Sequence, residues 1–416
     1  MANYNDLFVQ YLQNLRNPFV KLCRLRFLNP DGSIAFSLDN NPLREQNFAL
    51  LAQGNITVNL QNGQRRTASV TLDNVTEAYE YAYGKMWFGQ EIALDEGMLL
   101  PDGQEFYIQQ GVFIIDSPND KVEPTERTVT YNLLDKWSML DGTHGGKLEG
   151  TYECPVNSLI FDAITALLQE DRGNGQPIDR MTPVYTDYYN SLTQTLPDGT
   201  TASLIRSPYT LTVEPSGSKA DVILGLVGMI NGWVGYDPSG MLRVDPSQDD
   251  IADATKPVLW TFGTDETTLL GMTYTTKNAE VYNDVIIVGA MLEDNSQPKA
   301  RAQNFDPASD TNINLIGRKT YREEQSGFGT VTQCRDLATW KLKRTSILQK
   351  SVSISCSQIL HLKENDLVEI RRTDKAKSPI ERHLIQGFSR SLLGTDQMTI
   401  TAVSVVDIPD ITVTTS

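Results

Sequence analysis

The chain has three histidines, which limits the metal-dependent and nucleophilic chemistry that it could perform. His144 lies in the glycine-rich run 141–146, whereas His361 and His383 lie near predicted strands without a Cys partner at zinc-site spacing. A zinc site needs several His or Cys ligands at characteristic spacing, and a Ser-His-Asp triad needs a histidine oriented by a carboxylate. Because the three histidines lack such neighbours in sequence, we predict packing or surface roles for them and assign no metal ligand.

Acidic side chains are abundant, with 52 Asp and Glu against 36 Lys and Arg. The densest acidic loop contains Asp245, Asp249, Asp250 and Asp253. Calcium binds oxygen ligands of this kind, but the loop lacks the ligand spacing and the glycine of an EF-hand, so we interpret it as a solvated loop. The supply of carboxylates also leaves open a glycosidase pair, which would need aromatic platforms beside it.

Tyrosines in the polar stretch 171–217 are the candidates for such platforms. They are Tyr185, Tyr188, Tyr189 and Tyr209. We favour loop packing or contact with a neighbouring subunit, because tyrosine is enriched at interfaces. Gly327-Phe328-Gly329 precedes a predicted helix but lacks the rest of a phosphate-binding fingerprint. We therefore assign no catalytic, cofactor-binding or metal residue, expect no cofactor, and predict that the protein is not an enzyme.

Much of the chain consists of short segments in which apolar and polar residues alternate, separated by turn residues. This pattern predicts a mainly β protein with α+β insertions. We expect three domains, in chain order: a first antiparallel β-barrel-like domain at 1–150, a small α+β middle domain at 151–270, and a second antiparallel β-barrel-like domain at 271–416. A short helix is expected within 5–15, an irregular insertion at 171–217 and a helix at 332–343.

Local signals place further elements. Apolar residues at helical spacing predict a helix over 159–168. A second helix is predicted to begin after Ser218, an N-cap residue with an acidic residue three positions on, and to end at Gly232. In the last domain, Val285–Val288 is predicted to be a strand and 289–320 an exposed loop.

The net charge is −16, which argues against nucleic acid as a bound ligand because phosphate binding needs a basic surface. An acidic channel wall would still let DNA slide past without sticking. The charge is unevenly distributed: −7 in 1–150, −10 in 151–275 and +1 in 276–416. The cysteines are widely spaced, which predicts buried thiols rather than disulfides: Cys23, Cys154, Cys334 and Cys356. We expect no signal peptide and no membrane span.

The first and last domains contain similar segments in the same order. The pairs are Glu91–Leu94 with Val368–Arg371, Ile108–Phe113 with Leu384–Phe388, and Thr128–Tyr131 with Met398–Thr401. This pattern favours two copies of one barrel. Three subunits with two barrels each would surround an axis with six barrels, which gives threefold symmetry with a pseudo-sixfold surface.

The chain resembles phage tail and baseplate hub proteins. The segments that carry this resemblance are Arg65–Asn74, Trp87–Ile92, Gly111–Ile115, Val129–Trp137, Gly232–Leu242 and Tyr282–Gly289. The last of these resembles the strand that re-enters the family's second barrel. Each segment is short, and their order is the evidence. The stretch 171–217 has no counterpart in the pattern. The resemblance implies a homotrimer that joins a sixfold tail tube to a threefold spike around a central channel, and it implies no catalytic residues.

We therefore expect a structural baseplate hub subunit that leaves a channel for DNA passage. The expected partners are further copies of the chain, a tail tube or distal tail protein, and a spike or tip protein, with no specific nucleic-acid binding. The expected location is the baseplate of the virion tail, after synthesis in the host cytoplasm. Two alternatives remain: a tail-associated cell-wall hydrolase, and a carbohydrate-binding tail-tip protein that would bind saccharide through 171–217.

Overall fold

A computed structural model of the 416-residue chain describes most of its length. The described residues are 12, 19–44, 51–74, 77, 79, 86, 87, 89–187, 189, 193–195, 199–203, 205–246, 256–263, 268–276, 281–292, 295–347, 350–372, 380–394, 396–405 and 411–415. The predicted helix within 5–15 lies outside them except for Leu12, which is buried in the main core. The fold is mainly β, as predicted.

The first part of the chain forms an antiparallel half-sheet. Its strands are β1 (Val20–Leu28), β2 (Ile34–Asp39), β3 (Leu51–Asn59), β4 (Arg66–Asp73), β5 (Glu91–Leu99), β6 (Glu105–Glu123) and β7 (Glu126–Asp135). They lie side by side in the order β2-β1-β5-β6-β7-β4-β3. Their alternating sequence explains the packing: Ala68, Val70 and Leu72 of β4 are buried, whereas the residues between them are partly exposed.

The middle part packs two helices, α1 (Ile160–Gln169) and α2 (Lys219–Met229), with short strands. The strands are β8 (Tyr152–Cys154), β9 (Val184–Tyr185), β10 (Thr193–Thr195), β11 (Thr201–Ser203), β12 (Leu211–Val213), β13 (Gly232–Tyr236) and β14 (Leu242–Pro246). Ser218 and Asp221 form the capping box that starts α2. The stretch 171–217 is thus less irregular than predicted. Gly232 begins β13 rather than ending α2, which stops at Met229.

The last part forms a second half-sheet. Its strands are β15 (Val258–Gly263), β16 (Leu269–Thr276), β20 (Lys350–Cys356), β21 (Leu367–Arg371), β22 (Ile380–Ser391) and β23 (Met398–Ser404). Their order is β15-β21-β22-β23-β20-β16. The expected boundary at 270 placed Val258–Gly263 in the middle domain, but this strand pairs in parallel with Leu367–Arg371 of the second half-sheet.

A separate α/β unit lies mostly between β16 and β20 in the chain. This insertion contains β17 (Asp284–Val288), β18 (Lys299–Gln303), α3 (Ile313–Ile316), β19 (Thr320–Glu324) and α4 (Val331–Thr345), and β24 (Thr412–Thr415), which follows β23, joins the unit's sheet. The sheet order is β19-β17-β18-β24, with α4 packed against Val285 and Ile287. Two predictions were therefore wrong: Asp284–Val288 does not re-enter the second barrel, and 289–320 contains a strand and a short helix besides loops. The helix expected at 332–343 is confirmed as Val331–Thr345.

The two half-sheets join into one 13-stranded sheet, because β22 of the second pairs with β3 of the first. A single apolar core runs through both, from Phe27 and Leu94 on one side to Phe262 and Ile400 on the other. All four cysteines are buried and free. Within the part of the chain that the structure describes, no helix is long and apolar enough to span a membrane.

Candidate assembly interface

The two half-sheets have the same topology. Six strands of the first, taken in chain order as β1, β3, β4, β5, β6 and β7, lie in the spatial order β1-β5-β6-β7-β4-β3. Six strands of the second, taken as β15, β16, β20, β21, β22 and β23, lie in the order β15-β21-β22-β23-β20-β16. Strand for strand, these orders are identical. One difference is that β1 is antiparallel to β5, whereas β15 is parallel to β21.

The strand registers match as well, including the irregularities. Ala52 of β3 and Leu270 of β16 are each an extra residue opposite the neighbouring strand. Asp116 of β6 and Gln386 of β22 are likewise extra residues opposite β7 and β23. In each pair, the bulge lies at the same position along the equivalent strands of the two half-sheets. Because bulges are specific structural features, their coincidence establishes a residue-by-residue equivalence.

This equivalence corrects the sequence comparison in detail while confirming its order of strands. The alignment of Ile108–Phe113 with Leu384–Phe388 matched Gln110-Gly111 to Gln386-Gly387. The bulges instead make Asp116 and Ser117 the equivalents of Gln386 and Gly387. The repeat is therefore present, but the residues that look most alike in the two sequence segments are not the residues that are structurally equivalent.

The junction between the half-sheets is an antiparallel ladder. Phe388 of β22 pairs with Val58 of β3, and Ser391 pairs with Asn55. The Leu392 amide donates to the Gly54 carbonyl at 2.9 Å. A Cβ on Gly387 would lie 2.4 Å from the Val58 carbonyl oxygen, so glycine is required where the backbones approach this closely.

A buried ionic cluster lies beside this ladder. Glu96 of β5 accepts from the Arg390 Nε of β22 at 2.7 Å, and Lys21 Nζ of β1 lies 3.1 Å from the other Glu96 oxygen. The Glu96 and Arg390 side chains are fully buried. Burial by itself would raise the pKa of Glu96, but Arg390 and Lys21 outweigh it and hold that pKa below its usual value. The cluster therefore couples the two half-sheets through charges that cannot separate without large cost.

A second buried ion pair connects the middle domain to this junction. Arg66 of β4 contacts both carboxylate oxygens of Glu364 at 2.5 Å and also donates to the Tyr236 carbonyl of β13. The carboxylate of Asp135 accepts from the Arg66 amide at 2.9 Å, and burial raises the pKa of Asp135 to about 6. Three parts of the chain thus meet at one guanidinium group, which holds them in a single arrangement.

The sheet has two open edges where the equivalents of the junction strands lie. Strand β16 is the equivalent of β3, and it ends the sheet with Leu270 54% exposed. In the outer part of β6, 117–123, residues 117–121 are the equivalents of the part of β22 that pairs with β3; the exposed end includes Val122 at 67%. Neither edge has a strand partner among the described residues. Among the strands that the structure describes, one junction is filled within the chain and its counterpart is open.

The three histidines lie apart from any shared site. His144 Nε2 is 3.7 Å from an Asp116 oxygen. His361 packs near the Trp260 ring, and burial lowers its pKa to about 4. His383 is buried near Tyr274. In the described ranges, no group of three or more His, Cys, Asp and Glu residues is placed to hold a metal ion.

The predicted tyrosine cluster divides between the middle core and a cleft. Tyr185 stacks on Phe161 of α1 at 4.1 Å, and Tyr189 is fully buried with its hydroxyl donating to the Asp245 carbonyl. Tyr209 lines a cleft of about 520 Å³, where Gly327 packs against its ring. Tyr188 lies outside the described residues.

The acidic loop is described in part. Asp245 pairs with Arg243 at 3.0 Å and accepts from Thr186, so it is part of a hydrogen-bond network of the middle domain. The other three acidic residues of the predicted loop, Asp249, Asp250 and Asp253, lie outside the described residues.

The sequence analysis missed the ionic cluster at Glu96. Its members are far apart in the chain, and each is a charged residue of the kind that usually lies on a protein surface.

Comparison with known proteins places this fold among tail proteins. No family model and no curated protein matches the sequence. The tail protein from Neisseria meningitidis MC58 matches with a TM-score of 0.59 and 11% identity, covering 92% of this chain and 96% of that one. The 43 kDa tail protein of prophage MuSo2 from Shewanella oneidensis matches with a TM-score of 0.56 and 12% identity, over 92% and 98%. Prophage tail protein gp18 from Listeria monocytogenes EGD-e matches with a TM-score of 0.52 and 8% identity, over 92% and 94%.

At these identities the likeness concerns the fold. The matches nevertheless cover nearly the whole of this chain and nearly the whole of each tail protein. The chain therefore shares its overall fold with these tail proteins over most of its length.

Proposed function

We propose that this chain is a structural subunit of a phage tail, a baseplate hub protein that assembles as a trimeric ring. The observation that carries the proposal is the duplicated half-sheet with one filled and one open junction. A subunit whose two halves meet head to tail can repeat the same contact with its neighbours, and head-to-tail contacts that close make rings. Three copies supply six half-sheets, which suits a threefold object that faces a sixfold tube.

The domains take separate roles in this proposal. The two half-sheets form the ring, and the middle domain and the inserted α/β unit extend from it as surfaces for neighbouring proteins. We propose a tail tube or distal tail protein on one face and a spike or tip protein on the other. The ring would leave a channel through which DNA passes, and the net charge of −16 suits a channel that does not retain DNA.

The experiment is a copy-number measurement on purified tail particles. Quantitative mass spectrometry with isotope-labelled peptides is expected to find three copies of this chain per particle, with the tube subunit as the internal reference at a multiple of six. Absence of the chain from purified particles, or a copy number that is not a multiple of three, would overturn the proposal.

A second candidate function is saccharide binding at the cleft lined by Tyr209. Trp233, Phe328 and Trp340 line the same cleft, and aromatic faces beside polar groups suit sugar rings. The Arg344 guanidinium lies 4.2 Å from the Trp340 ring and occupies one of its faces. Calorimetric titration with host-surface glycans tests this function; loss of binding in Trp233→Ala supports it, and absence of heat across the glycans rejects it.

A further inference from the structure

We infer that β16 of one copy pairs antiparallel with residues 117–121 of β6 in the next copy, in the register of the β3–β22 junction. This rests on the proposed function, because it specifies the contact from which the ring is built. Because the two half-sheets are equivalent, each residue pair of the β3–β22 junction predicts a corresponding residue pair between two copies of the chain. Ser389–Thr57 becomes Asn119 with Thr275 of the next copy, and Ser391–Asn55 becomes Lys121 with Thr273.

The two edges have the exposure that this pairing needs. Asn119, Lys121, Thr273 and Thr275 are all exposed. An edge strand as long as β16 offers a row of unpaired backbone groups, which proteins usually cover or protect. Pro118 lacks an N–H, so the new ladder would have one hydrogen bond fewer than the filled junction, where Phe388 occupies the equivalent position.

The packing across the new ladder is complementary in size. In the filled junction the large Leu392 lies against Gly54, whose Cβ would be 3.0 Å from a Leu392 methyl carbon. Val122 is the equivalent of Leu392, and Met272 is the equivalent of Gly54. A smaller side chain on β6 thus faces a larger one on β16. Val122, 67% exposed in a single copy, would be covered as Leu392 is covered.

The charges across the new ladder are reversed relative to the filled junction. Arg390 and Glu96 form the buried pair there. Asp120 is the equivalent of Arg390, and Arg372, two residues beyond Ile370, is the equivalent of Glu96. An acidic residue therefore meets a basic one in both junctions, with the signs exchanged between the half-sheets. Unlike charges at matching positions are expected of surfaces that meet.

Arg372 is already positioned near the strand that Asp120 would approach. Its guanidinium lies 5.1 Å from the ring of Tyr274, a residue of β16. Tyr274 is the equivalent of Ile56, which pairs with Arg390 in the filled junction. In the inferred register Asp120 is thus directly opposite Tyr274 of the next copy, beside Arg372. The exchange of signs also disfavours the wrong pairing of strands. If β22 of another copy, instead of β6, paired with β16, it would bring Arg390 against Arg372.

Cysteine cross-linking in assembled tails tests the register. Asn119 and Thr275 would form a non-hydrogen-bonded pair with Cα atoms about 4.5 Å apart, within reach of a disulfide. The variant N119C/T275C is expected to give a covalent trimer on non-reducing gels that reductant dissolves. The matched control K121C/T275C, two residues out of register, is expected to stay monomeric. The native cysteines are buried and do not compete.

The outcomes separate this inference from the proposed function. Equal cross-linking of both cysteine pairs, or three copies per particle without any cross-link in N119C/T275C, overturns the inferred register and leaves the ring. Absence of the chain from particles overturns the proposed function itself.

A charge exchange provides a second test. The single variants D120R and R372D are each expected to lower the fraction of chain incorporated into tails by about tenfold or more, and the double variant to restore it. Incorporation of both single variants at the wild-type level would overturn the inferred pairing of Asp120 with Arg372.

Discussion

Replacing Glu96 by glutamine should destabilise the sheet more than any exposed charge change. Glu96 is fully buried between Arg390 and Lys21, so Glu96→Gln leaves two cations close together without a counter-charge. Breaking a buried pair in this way costs about 3–5 kcal/mol. At about 2 °C or more per kcal/mol for a unit of this size, the melting temperature should fall by roughly 6 °C or more.

Differential scanning calorimetry of the purified chain is the measurement, with two comparisons. The control is Glu324→Gln, which breaks an exposed 2.8 Å pair with Arg322 and should cost about 1 kcal/mol or less. The triple variant Lys21→Met, Glu96→Leu and Arg390→Met removes all three charges, and it should cost less than Glu96→Gln alone, because no charge is left uncompensated. If Glu96→Gln melts within the range of the control, the buried cluster does not hold the half-sheets together.

Three further outcomes are expected. Gly387→Ala should lower the melting temperature, since its Cβ would lie 2.4 Å from the Val58 carbonyl oxygen, whereas Gly150→Ala, with nothing within 4 Å, should not. Burial raises the pKa of Asp366 to about 7 from 3.8, so the folded state favours the protonated carboxyl and stability should fall as pH rises between those values; Asp366→Asn should flatten that part of a pH–stability profile. The thiols of Cys23, Cys154, Cys334 and Cys356 should resist a maleimide until denaturant is added, as mass spectrometry would show, and rapid labelling of the native chain would contradict their burial.

Local patterns predicted much of the fold. The alternation of buried and exposed residues in β4 and the capping box at Ser218 depend on residues close in sequence, and both are present in the structure. Pairing between strands that are distant in sequence was harder to predict. Val258–Gly263 joins the second half-sheet because its partner is Leu367–Arg371, about a hundred positions along the chain. The strand Val184–Tyr185 is defined by its pairing with β14, and with two residues it is too short to show the apolar–polar alternation by which strands are predicted.

The duplication of the half-sheets was predicted in outline, and its register was missed in detail. The repeated order of segments pointed to two similar halves, and the topology confirms that order. Bulges shift the register without leaving a sequence signature, so matching letters at Gly111 and Gly387 gave the wrong equivalence. The reversal of charge between Asp120 and Arg390 can be recognised only after the structure gives the register, so it could not guide the sequence comparison.

A three-dimensional image reconstruction of assembled tails, computed without imposed symmetry, would show directly how the half-sheets meet. We expect a closed ring of three subunits at this chain's position, in which six half-sheets alternate and every boundary between them is a continuous strand ladder. A ring whose subunits touch only through the middle domains or the inserted α/β units, with β16 and the outer part of β6 facing solvent, would contradict this expectation.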